Sequence, residues 1–112
     1  MTYTINGKEY TEFDINLRCA ELILTTPVSI LHDCQQVLSA PNLEYNPLRN
    51  PWNTDRIIDK CWDELMSSKD ERGCGTWTHW DHVKWQRLMN EHNCTKLVAA
   101  CICYIELNEA AL

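Results

Sequence analysis

The chain has 112 residues, of which 45% are hydrophobic, and a formal net charge of −6. This length predicts one domain over residues 1–112, and the composition is typical of a folded globular protein. Ten basic residues against sixteen acidic ones argue against nucleic-acid binding, which needs Lys and Arg to neutralise phosphates. An acidic surface is typical of solubility alone or of a protein that meets a basic partner.

The sequence predicts a cytoplasmic protein with no membrane segment. Its first residues lack the apolar stretch of a signal peptide, and its longest apolar run, LVAACICYI, is far shorter than the ~20 residues of a membrane span. Seven cysteines are an odd number, and without an export signal they favour reduced thiols.

The N-terminal stretch TYTINGKEYT predicts a β-hairpin, because Asn-Gly suits a two-residue turn in which both φ angles are positive. This register pairs Ile5 with Lys8, Thr4 with Glu9 and Tyr3 with Tyr10. Thr11 and Asp14 then have the spacing of a capping box and predict a helix, with one face formed by Phe13, Leu17, Ala20 and Leu24. Thr25-Thr26-Pro27 should stop this helix.

The middle of the chain is less clearly patterned. Residues 28–41, VSILHDCQQVLSAP, suit either a short helix or a pair of strands, and we favour the helix. The Asn- and Pro-rich stretch after it predicts a connecting loop whose Tyr45, Leu48 and Trp52 pack onto the body. A helix over residues 55–69 follows, capped by Asn53 or Thr54. Its predicted buried positions are Ile58, Cys61, Trp62 and Leu65.

Two further helices are predicted near the C-terminus. Thr78 and Asp81 again have capping-box spacing, with Trp85, Leu88, Met89 and His92 on one face and a break at Asn93-Cys94. Thr95 caps the last helix, over residues 95–111. That helix is apolar nearly all round, which indicates the central element of the core.

The stretch GCGTWTHWDHVKWQRLMNEHNC, residues 73–94, concentrates residues that could bind a metal. Zinc could be held by Cys74, His79, His82, His92 and Cys94, although structural zinc sites usually show tighter ligand pairs. Cys74 with His79 or His82 and Asp81 is also the one local trio for thiol catalysis, but no established catalytic motif accompanies it. Without an ion, the same residues fit a capped amphipathic helix with ordinary thiols.

Two kinds of partner are suggested by the aromatic residues. Trp77, Trp80 and Trp85 beside Lys84 could stack on single-stranded nucleic acid, but the stretch has few basic residues. Tryptophan is also enriched at the hot spots of protein interfaces. A protein-binding surface is therefore the leading hypothesis, formed by Trp77, Trp80, Trp85, Asp59, Asp63 and Glu64.

Three segments resemble the NinX-type small accessory proteins of temperate enterobacterial phages. They are EFDINLRCAELI, YNPLRNPWNTDRIIDKCWDELM and HNCTKLVAACICYIEL, which occur in the family's order. The N-terminal hairpin and residues 27–41 have no counterpart in this resemblance. It implies a phage or prophage protein of the bacterial cytoplasm, in a family of unknown function, and no functional residue transfers from it.

Together these observations predict a mainly helical α+β fold, with an N-terminal β-hairpin and three to four helices around a C-terminal core helix. The expected function is non-enzymatic, without a cofactor. It is binding to a host protein or complex, such as inhibition of a CRISPR effector or another defence system. The alternatives are a metal- or thiol-dependent module around Cys74, His79 and His82, and a nucleic-acid binder.

Overall fold

A computed structural model describes residues 2–24, 28–31, 33–40, 43–67 and 83–109. The fold is α+β and mainly helical, as predicted. Its elements in chain order are β1 (Thr2–Ile5), β2 (Lys8–Thr11), α1 (Glu12–Ile23), β3 (Ser29–Leu31), β4 (Gln36–Ala40), β5 (Leu43–Glu44), α2 (Pro51–Leu65), α3 (Lys84–His92) and α4 (Lys96–Glu109).

The N-terminal hairpin has the predicted register. Tyr3 pairs with Tyr10, Thr4 with Glu9 and Ile5 with Lys8. Asn6 and Gly7 form the turn with φ of 50° and 81°, the left-handed conformation that this dipeptide adopts at low cost. The hairpin therefore places Tyr3, Ile5 and Tyr10 in the core.

The first helix begins at its predicted capping box. The Asp14 amide donates to Thr11 Oγ1 at 3.1 Å, and the Thr11 amide donates to Asp14 Oδ2 at 2.9 Å. The buried face of this helix is rotated by part of a turn from the predicted one. The residues that are buried are Ile15, Asn16, Cys19, Ala20 and Ile23, so only Ala20 was predicted correctly. Phe13, Leu17 and Leu24 lie at the edge of the core instead, because the helix packs on both α4 and β4. Residues 25–27, the predicted stop, lie outside the described residues.

The helix favoured after residue 27 was wrong. Residues 29–31 and 36–40 form antiparallel strands, in which Ile30 pairs with Val37, and β5 continues the sheet beyond β4. The turn passes through Gln35 at a φ of 53°. A small sheet of this kind needs to pack against another element to be stable. Here α1 packs on β4, whose Val37 is buried.

The second helix begins earlier than predicted. Asn50 precedes its first residue, Pro51, a position that suits proline because no helical partner is needed for the amide there. Thr54 lies inside the helix, fully buried, and its hydroxyl donates to the carbonyls of Pro47 and Asn50. The buried face is formed by Thr54, Ile57, Cys61 and Leu65, so the predicted burial of Trp62 was wrong.

The last two helices meet at a sharp break. Asn93 has a φ of 49° and ends α3, and Thr95 Oγ1 accepts from the Val98 amide at 3.3 Å to cap α4, both as predicted. The predicted capping box at Thr78 and Asp81 lies outside the described residues. The helix that carries Trp85 begins at Lys84, since Val83 is extended, so it is not one continuous helix from residue 78.

The C-terminal helix is the central core element, as the apolar run predicted. Every residue from Val98 to Ile105 is buried, and α4 contacts α1, α2, α3 and β1. A backbone hydrogen bond of 2.9 Å from the Lys84 amide to the Ser67 carbonyl joins the two ends of the stretch 68–82. This arrangement leaves the outer side of α2 facing solvent.

Candidate interaction surface on the second helix

The outer side of α2 carries the most exposed aromatic residues among those that the structure describes. Trp52 is 69% exposed and Trp62 is 50% exposed, and Met66 lies just beyond the end of the helix. Exposed apolar surface can mark an interaction site, which makes this side of α2 the candidate surface. The expectation that Trp52 packs on the body was wrong, whereas Tyr45 and Leu48 of the same loop are buried.

Acidic residues lie between these aromatic residues. Asp55, Asp59 and Asp63 follow each other at four-residue spacing and are all exposed. They therefore form one acidic row along the outer side of α2. Among the described residues, none of the three is joined in an ion pair. We call Trp52, Trp62, Met66 and these three aspartates the acidic–aromatic face.

Trp62 is held on this face by a residue of the core. Its ring meets that of Trp85 edge-to-face, with centroids 6.3 Å apart and an interplanar angle of 81°. Trp85 is itself only 5% exposed, donates from Nε1 to the Lys96 carbonyl at 2.8 Å, and lies 4.8 Å from Lys96 Nζ. Trp85, predicted to bind a partner, therefore supports the surface from beneath.

Glu64, also predicted to bind a partner, is occupied within the fold. Its Oε1 accepts from Lys84 Nζ at 2.9 Å, and the same ammonium lies 3.8 Å from Glu106 Oε2. Burial lowers the pKa of Lys84, but the hydrogen bond to Glu64 and the charge of Glu106 outweigh it, so the pKa is raised overall. Glu64 thus links α2 to the start of α3, and Asp59 and Asp63 remain the predicted acidic residues that face outward.

The predicted metal and thiol residues are only partly described. Cys74, His79 and His82 lie outside the described residues, as do Trp77 and Trp80. His92 is half-buried with its ring 6.3 Å from that of Tyr3, and Cys94 Sγ lies 3.8 Å from the Leu88 carbonyl. Burial raises the pKa of Cys94 to about 11, so its thiol is protonated at neutral pH and a poor ligand or nucleophile. Within the described part of the chain, no group of three metal-binding side chains comes together.

The core holds a second group of thiols. Cys19, Cys61, Cys101 and Cys103 are all buried, as the apolar pattern predicted for the last two. Burial raises the pKa of Cys101. Cys61 Sγ donates to the Ile57 carbonyl at 3.0 Å, one turn earlier in α2. These thiols act as small core residues.

A groove of about 500 Å³ runs along the flank of α2 opposite Trp62. It is lined by Leu22, Ile23, Arg56, Lys60, Tyr104, Leu107 and Asn108. Arg56 and Lys60 are exposed, and neither forms an ion pair with another described residue. The outer side of α2 therefore carries a positive edge beside its acidic row.

Sequence reasoning missed Trp62 because it chose the wrong helical phase for α2, and it missed Trp52 because it placed that residue in the loop before the helix. Ile58, Cys61, Trp62 and Leu65 fit a helix face, but so do Thr54, Ile57, Cys61 and Leu65. Thr54 decides between these two faces, because its side chain is buried and donates a hydrogen bond to the Pro47 carbonyl in the preceding loop. A usable signal was the row of aspartates at 55, 59 and 63, which marks the solvent side.

Comparison with known proteins gives no relative for this chain. No protein-family model matches it, and neither a curated protein nor a solved structure is similar to it. Across the described ranges, no helix has the length and apolar character needed to cross a membrane.

Proposed function

We propose that this protein acts by binding another protein through the acidic–aromatic face of α2. The observation that carries the proposal is the exposure of Trp52 and Trp62 on the same helix as three aspartates that form no ion pair with any described residue. Tryptophan contributes strongly to interface energy once it is buried against a partner. Carboxylates beside it favour a partner with a basic surface and raise the rate of encounter.

The same face disfavours nucleic acid as the ligand. Stacking of bases on Trp52 or Trp62 would bring phosphates close to Asp55, Asp59 and Asp63, and the net charge of −6 adds a general repulsion. A protein partner therefore fits this surface better than a nucleic acid does.

The biological setting of the proposal comes from the resemblance to phage accessory proteins. In that setting the partner is a host protein or complex in the bacterial cytoplasm. Binding without catalysis would block it, as an inhibitor of a CRISPR effector or another defence system does. The role is stated at the level of surface chemistry, because fold alone does not specify a target.

A capture experiment with matched charge variants tests the binding function. The wild-type protein, immobilised and incubated with lysate of an enterobacterial host, should retain a specific host protein identified by mass spectrometry. Asp59→Lys and Trp52→Ala should each lower its recovery at least about tenfold, as expected for interface hot spots. Glu9→Lys, the same charge change on exposed β2, should leave recovery unchanged.

Two outcomes contradict the proposal. One is that folded wild-type bait retains no specific protein at low salt. The other is that Glu9→Lys reduces recovery as much as Asp59→Lys, because the interaction then depends on net charge and not on the face of α2.

A further inference from the structure

The groove on the flank of α2 combines a positive edge with apolar walls. Arg56 and Lys60 are four residues apart on α2, so they are neighbours on one side of the helix. The apolar part of the lining comes from α1 and α4 and consists of Leu22, Ile23, Tyr104 and Leu107. One side of the groove therefore attracts negative charge, and the rest offers apolar contact.

The positive charges of this edge are not neutralised by other residues that the structure describes. Neither Arg56 nor Lys60 forms an ion pair with one of them. On α4, Glu106 and Glu109 lie beside cations outside the groove. The aspartates of the acidic–aromatic face are not part of the groove lining either. The positive edge is therefore open to an anion from solution.

Arg56 lies close to the floor of the groove, which includes the buried Tyr104. Burial raises the pKa of Tyr104, and the charge of Arg56 acts against this rise, as a nearby cation does. The Tyr104 hydroxyl donates to the Leu22 carbonyl at 3.4 Å, which joins α4 to the end of α1. An anion held by Arg56 would therefore lie beside an apolar floor that is fixed by the fold.

The polar groups of the lining favour a hydrocarbon body over a peptide. Its two neutral polar side chains already donate within the fold, Tyr104 to the Leu22 carbonyl and Asn108 Nδ2 to the Tyr104 carbonyl at 2.8 Å. The backbone of a peptide would lose water on entering the groove without gaining these donors. An alkyl chain has no such groups to satisfy. The lining therefore suits a ligand with one charged head and an apolar body.

We propose that this groove binds small amphiphilic anions of the medium-chain alkyl carboxylate class. The carboxylate is held between Arg56 and Lys60. The alkyl chain lies against Leu22, Tyr104 and Leu107. The groove volume of about 500 Å³ is within the range of small-molecule sites, about 300–1,000 Å³. This site is separate from the acidic–aromatic face, so the inference does not rest on the proposed function.

A nuclear magnetic resonance titration with octanoate tests this site. Octanoate should cause saturable shifts of the backbone amides of Leu22, Lys60 and Leu107. We expect a Kd between about 10 μM and 1 mM, since the ligand is small and the groove is open. Each CH₂ group added from hexanoate to decanoate should tighten binding about two- to fourfold, because more apolar surface is buried. Acetate, which has only the head, and octanol, which has only the chain, should each bind at least about tenfold more weakly than octanoate.

Variants separate the contributions of the positive edge and the apolar wall. Arg56→Gln and Lys60→Gln should each weaken octanoate binding about two- to fivefold, and the double variant at least about fivefold, as expected for exposed ion pairs. Arg87→Gln is the matched control, because it removes an exposed positive charge outside the groove and should leave binding unchanged. Leu107→Ser should reduce the dependence on chain length. Circular dichroism should show that every variant stays folded, because all the changed residues are exposed.

Four results would overturn this proposal. Octanol that binds as tightly as octanoate would mean that the positive edge contributes nothing. A double variant that binds octanoate as tightly as Arg87→Gln does would mean the same. Shifts that do not saturate, or that lie on the acidic–aromatic face, would place the ligand elsewhere. Tighter binding of an acetylated tetrapeptide of two leucines and two glutamates would assign the groove to a peptide. None of these measurements involves a host protein, so this site and the proposed function can fail separately.

Discussion

The rings of Trp62 and Trp85 meet at nearly a right angle, with centroids 6.3 Å apart, across the boundary between surface and core. Trp85 is buried and fixed by its hydrogen bond to the Lys96 carbonyl, whereas half of Trp62 faces solvent. The pair therefore fixes one exposed tryptophan at a defined place on α2. Such preorganisation lowers the entropy lost when a partner binds.

Trp85→Ala should lower the free energy of unfolding by about 3–5 kcal/mol, because it leaves a cavity in the core. Trp85→Phe should cost about 1–2 kcal/mol, mainly because the Lys96 carbonyl loses its donor. Urea unfolding followed by circular dichroism measures both. Trp52→Ala is the control, since Trp52 is 69% exposed and its removal should change stability by less than about 0.5 kcal/mol. Equal losses in Trp52→Ala and Trp85→Ala would contradict the assigned burial.

Gly7→Ala should destabilise the protein by about 1–2 kcal/mol. Gly7 has a φ of 81°, and a Cβ at this position would meet no atom within 4 Å, so the cost comes from the backbone alone. Asn6→Gly keeps a residue that tolerates positive φ and should be close to neutral, although it removes the 3.2 Å bond from Asn6 Nδ2 to the Glu106 carbonyl. The urea midpoints of the two variants measure both losses of stability. A loss for Asn6→Gly as large as that for Gly7→Ala would refute the assigned turn.

The sequence predicts the elements whose signals are local. Asn6-Gly7 specifies its own turn, Thr11 and Asp14 cap their own helix, and the run from Val98 to Ile105 is too apolar to lie anywhere but the core. In each case the interacting groups are close in sequence, so no knowledge of the tertiary structure is needed.

The elements that sequence reasoning missed depend on distant contacts. Val28, Ile30, Val37 and Leu38 fit a helix and a strand pair equally well, and the choice is made by α1 packing on β4. The turn at Gln35 could not be predicted from the sequence, because a positive φ at glutamine has no sequence signal. The phase of α2 depends on Thr54, whose burial is explained only by the loop carbonyl that it contacts. The candidate face was therefore half predicted, with Asp59 and Asp63 found and Trp52 and Trp62 missed.

Lys84→Met should lower the free energy of unfolding by about 1–2 kcal/mol, since hydrogen bonds to charged groups contribute about that much. Glu106 Oε2 is buried without a hydrogen bond, so removal of the Lys84 ammonium leaves that carboxylate without its nearest opposite charge. Arg49→Met is the comparison, because the ion pair of Arg49 with Glu12 is far more exposed and should contribute about 0–0.5 kcal/mol. Chemical denaturation at low and high salt measures both, and an equal effect of the two variants would contradict the difference in burial.

Stability should fall between pH 9 and pH 11 in part because of Cys94. Burial raises the pKa of this thiol from 9.0 to about 11, so the folded state holds the proton more tightly than the unfolded chain does. A raised folded-state pKa stabilises the protein fully below pH 9, and this stabilisation is lost as the pH rises through about 11. Cys94→Ala removes the titrating group. The difference in free energy of unfolding between wild type and Cys94→Ala should therefore shrink steadily across this range.

Cys34→Ala provides the comparison, because Cys34 is an exposed thiol in the turn between β3 and β4. Groups that are present in wild type and in both variants contribute equally, so their effects cancel when each variant is subtracted from the wild type. Wild type minus Cys94→Ala should slope downward more steeply than wild type minus Cys34→Ala, because Cys94 is the more buried of the two thiols. A flat difference for Cys94 would mean that its thiol is as accessible folded as unfolded.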